Sequence, residues 1–138
     1  MPPTLEPQWQ PISQLRMISA VIDSGLADAQ AHYASLLEAR PKPYVLDDTL
    51  VTRSIRAHTE QRDFLWVFKK QLARWRIESK SDSDTVEISR LDDQLERWSQ
   101  VLTNILTLAE GLRVGTIETA LAKSDAELGI EASIHGVR

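Results

Sequence analysis

Residues 91–112, LDDQLERWSQVLTNILTLAEGL, decide the fold. Within them Leu91, Leu95, Trp98, Leu102, Ile105, Ala109 and Leu112 recur at alternating steps of four and three. A helix completes a turn in about 3.6 residues, so this spacing draws one unbroken apolar stripe along a helix. Upstream, the polar run 79–83 leads into Asp84 and Glu87, spaced as a capping box that opens this helix. Downstream, Gly111 and Gly115 mark its expected end. The reading is a helix over 84–113.

Working outward, the segment before it has the same character. Asp47 is a good N-cap, with Leu46 and Val51 at the spacing of a hydrophobic staple, and the pattern predicts a helix over 47–79. Further upstream Leu15, Ile18, Ile22, Leu26, Ala29, Tyr33 and Leu36 define one face of a helix over 12–39. Gly25 and Ala29 lie on that face, where small side chains let another helix come close. The run RPKP at 40–43 must end it, because a residue before proline is pushed out of helical geometry. Four of the six prolines fall at positions 2, 3, 7 and 11, so residues 1–11 read as an extended arm. Its one large side chain is Trp9, which either hangs free or docks on this domain or a partner.

The C-terminal part predicts two short helices, 116–123 and 125–134, the second opened by Ser124 and Glu127 as another capping box. Their few apolar residues (Ile117, Leu121, Leu128, Ile130, Ile134) cannot sustain them alone, so they need the bundle or another subunit. Within it the stretch KSDAELGIE at 123–131 matches only a capped helix start. The organisation is an arm (1–11), a bundle (12–115) and an extension (116–138). The expected fold is all-α: an antiparallel bundle of three long helices with a short helical C-terminal extension, completed by dimerisation.

The second helix stands out on a helical wheel. Leu50, Ala57, Phe64, Phe68, Leu72 and Trp75 form one apolar side, and Val51, Ile55, Trp66, Ala73 and Ile77 another. Between them runs a seam of His58, Arg62, Lys69 and Arg76, whose methylenes can lie along a core while the charges reach water. Two apolar sides predict a central helix, packed on both flanks. Charge divides too: positions 47–80 hold eight Lys/Arg against five Asp/Glu, and 81–115 hold three against seven. The two helices of the hairpin therefore support each other electrostatically. Arg76 and Glu87, close to equal height across the turn, are expected to pair.

Composition narrows the function by exclusion. The chain has 138 residues, a formal charge of −4 and no cysteine. A disulfide scaffold, a thiol nucleophile and a zinc–cysteine site are thereby excluded. An acidic balance, with pI near 5.4, opposes a nonspecific nucleic-acid coat, and the aromatics interleaved with Lys69, Lys70 and Arg74 sit at core spacing. Nucleic acid is not an expected partner. No apolar run reaches the roughly 20 residues of a membrane span, and no signal segment opens the chain, so a soluble, cytoplasmic domain is expected.

Catalytic signatures are missing: there is no Gly-x-Ser-x-Gly, no phosphate-binding glycine loop, no Ser-x-x-Lys and no Glu-x-x-His. No cofactor is expected. His32 and His58 could reach equal height across the first turn, with Asp28 one helical turn from His32, which makes them weak metal candidates. The functional expectation is a non-catalytic interaction or scaffold protein, a homodimer or the partner of another protein. Trp66, Lys69, Trp75, Arg76, Glu87 and Trp98 are its candidate contact residues. The alternative is a regulatory bundle that binds a small ligand or metal.

Overall fold

The computed structural model describes residues 7–39 and 48–134, with side chains as far as Val114. Residues 12–14 form one 3-10 turn, entered from Pro11 in extended geometry. Three helices follow: α1 (Leu15–Ala39), α2 (Asp48–Glu78) and α3 (Asp82–Ile134). The 4-3-4-3 stripe is the spine of the molecule. All seven of its side chains are buried, and Ile88 adds a further turn at the top. Against it pack Leu15, Ile22, Leu26, Ala29 and Leu36 of α1, and Val51, Leu65, Leu72 and Trp75 of α2. Each fully buried side chain the size of Leu or Ile contributes about 1.5–3 kcal/mol, on the stripe and on the two helices that cover it alike.

The helices run up, down and up. Arg76 and Lys69 of α2 meet Asp92 and Glu96 of α3 in antiparallel sense. Ser19 and Asp23 of α1 meet Glu87 and Arg90 in parallel sense. Both α1 and α2 pack chiefly on α3, rather than on each other. The central helix is therefore α3, which corrects the expectation for α2. Trp98 supplies the physical reason. Its indole lies over Gly25 of α1, where an added Cβ would come within 2.3 Å of the ring. On the other side it packs against Phe68 of α2, with centroids 5.9 Å apart, and its N–H donates to Oε1 of Gln61. A buried indole thus separates α1 from α2 along part of their length. The two apolar sides of α2 are each only partly used: Val51 of the second is buried, while its Trp66 is half exposed and its Ile77 88% exposed, and Leu50 and Phe64 of the first are half exposed.

Two helix boundaries also differ from expectation. Ser81, not Asp84, caps α3: its hydroxyl accepts from the Asp84 N–H, so the helix opens at Asp82. The box of Asp84 and Glu87 is unused. At the other end α3 continues without a break to Ile134, so the two predicted short helices are one continuation. A glycine in a helix costs only about 1 kcal/mol, too little to stop a helix that no proline interrupts. The expected cap and staple at Leu46 and Asp47, and the RPKP turn, lie outside the described residues. Among the described residues no helix is long and apolar enough to cross a membrane.

Candidate functional site

Two polar rows flank the buried stripe of α3. Glu87, Arg90 and Gln94 point to α1, and Ser89, Asp92 and Glu96 to α2. Arg90 organises the first row. Its guanidinium takes Asp23 in a two-pronged contact, 3.0 Å to Oδ1 and 2.9 Å to Oδ2. The same group donates to Glu87 at 2.6 Å and to the Ser19 hydroxyl at 3.0 Å. Ser19 in turn donates to Glu87, and Gln94 donates to Asp23. A planar guanidinium suits this work because its five donors are fixed in a fork. Hydrogen bonds from Arg90 hold the carboxyls of Asp23 and Glu87 below the usual range, against the smaller opposing effect of burial.

The second row corrects the expected partner of Arg76. Arg76 donates to Asp92 at 2.7 Å and to Ser89 at 3.3 Å, while Glu87 is engaged on the α1 side. The cause lies in the phase of the buried stripe. Ile88 and Leu91 are fully buried and so set the core-facing line of α3, which leaves Glu87 beside that line on the α1 side. Lys69 reaches Glu96 at 3.9 Å with both side chains well exposed, a contact of small worth.

The tryptophans divide into core and surface. Trp75 and Trp98 are buried, so neither offers a contact surface. Trp75 instead anchors the N-terminal arm by donating its indole N–H to the Gln10 carbonyl at 2.9 Å. Gln71, itself buried, grips the same residue twice: its Oε1 accepts from the Gln10 N–H at 2.7 Å, and its Nε2 donates to the Gln10 carbonyl at 3.3 Å. The Arg74 guanidinium lies 4.5 Å above the Trp9 ring. Of the two expectations for Trp9, docking on its own domain is the one observed. Gln71 was missed although it lies three residues after Phe68 and four before Trp75, on the buried side of α2, because only its polar side chain was read. Trp66 does lie at the surface, half exposed beside half-exposed Phe64. The two line a shallow groove with Pro7 and Val67, rimmed by Glu60 and Asp63.

His32 and His58 come together as their equal heights require. Their ring centroids are 4.5 Å apart, and the Ser54 hydroxyl sits 3.3 Å from Nε2 of His32 and 3.2 Å from Nδ1 of His58. Nδ1 of His58 also lies 2.7 Å from the Ser54 carbonyl. A carbonyl only accepts, so Nδ1 carries a proton, and in the neutral ring Nε2 is the nitrogen with the free lone pair. Ser54 is then free to donate to His32. Burial, and then the neighbouring His58, push the His32 imidazole below its ordinary value. Asp28 does not complete the cluster: among the described residues no three His, Asp or Glu side chains gather as a metal-binding group. A serine between two histidines can also suggest a hydrolase. Ser54 lies within the body of α2, where backbone N–H groups are spent on the helix and leave no oxyanion donors.

No protein-family profile, curated protein or solved structure matches the chain.

Proposed function

We propose that this chain is a non-catalytic helical interaction or scaffold protein that self-associates as a homodimer in the cytoplasm. One observation carries the reading: Phe64 and Trp66, each half exposed, sit with Pro7 and Val67 on a face of α2 that its own bundle leaves open. Large aromatic side chains gathered at a surface favour association, because burying them against a partner removes apolar area from water. The buried Gln71 and Trp75 support this by fixing the arm, which forms one wall of the groove. Contacts to another protein through the same face belong to the same proposal.

The double variant Phe64→Asp/Trp66→Asp tests it by light scattering on a sizing column. Both side chains are exposed, so the fold should persist with an unchanged circular dichroism spectrum. The expected result is a dimer for the parent chain and a monomer for the variant. Equal masses for the two chains would refute this face as the interface.

A further inference from the structure

The paired histidines carry an inference independent of self-association. We propose that His32 of α1 and His58 of α2 form a two-imidazole clasp for a borderline divalent transition-metal ion such as Zn²⁺, with water filling its other positions. Two imidazoles on one ion have metal–nitrogen distances of about 2.0–2.1 Å, which sets their ring centres roughly 4.5 Å apart at a bond angle of about 90° and roughly 5.3 Å apart at about 110°. The observed separation is 4.5 Å. The rings come from different helices, so an ion held by both would tie α1 to α2.

Proton placement supports the same conclusion. A ligating histidine characteristically donates its other ring N–H to a carbonyl or carboxylate, which fixes its orientation. His58 makes that contact already, to the Ser54 carbonyl at 2.7 Å, and leaves Nε2 bare. On His32 the Ser54 hydroxyl occupies Nε2 at 3.3 Å, a long bond that an ion can displace. His32 is exposed, so an ion has a path from solvent. Imidazole pairs suit zinc, copper and nickel, whereas magnesium prefers oxygen.

The test is calorimetric titration of the full, chelator-stripped chain with ZnCl₂ near pH 7.5, with MgCl₂ as the contrast. The expected result is one Zn²⁺ per chain, weakened about tenfold or more in His32→Ala and in His58→Ala, and unchanged in His135→Ala. Proton NMR of the parent chain gives a readout that no variant's folding can confuse. The imidazole signals of His32 and His58 should move together on the first equivalent of zinc, ahead of His135. No zinc binding up to about 1 mM, equal response to magnesium, or movement of either ring alone would overturn the clasp.

Discussion

At position 25 two physical effects oppose each other, and their sizes decide the outcome. Alanine is a better helix former than glycine by about 1 kcal/mol, so Gly25→Ala ought to stabilise an exposed helix. Here the new Cβ would lie 2.3 Å from the Trp98 ring, which Phe68 and Gln61 hold from the far side. Overpacking of this kind costs about 1–3 kcal/mol, and the buried indole has nowhere to go. Gly25→Ala should therefore lower the urea midpoint, by a net loss of up to about 2 kcal/mol; a raised midpoint would show that the helices separate freely. The sequence made the glycine legible, since it falls on the apolar face of α1. Its partner was not legible, because helical spacing sets the face of a residue and not what the facing helix places there. Gln71 shows the same limit more sharply. Only the backbone of Gln10, 61 positions away in the chain, gives its buried amide a purpose.

Among the elements, α3 was the most readable and α2 the least. An uninterrupted stripe translates directly into a buried face, and every residue read on it is buried. Two apolar sides on α2 invited a central role, but the wheel cannot tell packed aromatics from exposed ones. The polar rows beside the stripe held information that spacing could have released: residues at i and i+3 next to a core position face the flanking helices. Arg90 yields a test of that geometry. Removing it in Arg90→Ala leaves Asp23 and Glu87 without their cation, and all three side chains are about a third or more exposed. The loss near neutral pH is therefore about 1 kcal/mol. Both carboxyls have folded values below their unfolded ones, so this stabilisation is complete above the unfolded range of about 3.9–4.3. It disappears as pH falls through the lowered folded values. Urea titrations of the two chains should differ near pH 7 and converge in acid once both carboxyls are protonated; a gap that persists there would assign the loss to packing instead.

On the scale of the whole molecule, the three helices end unequally. Arg113 of α3 lies near Asp48 at the start of α2, yet α3 runs on to Ile134. At 1.5 Å per residue its 53 residues span roughly 80 Å, against roughly 46 Å for the 31 residues of α2. The glycines at 111 and 115 disguised this in the sequence, because they fit a stop signal that tertiary context did not use. The all-α bundle itself followed from periodicity alone. What periodicity could not settle is how many chains complete it, since an open aromatic face looks the same on a helix wheel as a buried one. Self-association is the central claim, and sedimentation equilibrium of the unmodified chain at high micromolar concentration tests it most directly. The account predicts the mass of two 15.6 kDa chains, with dissociation on dilution. A single-chain mass at every concentration would contradict it.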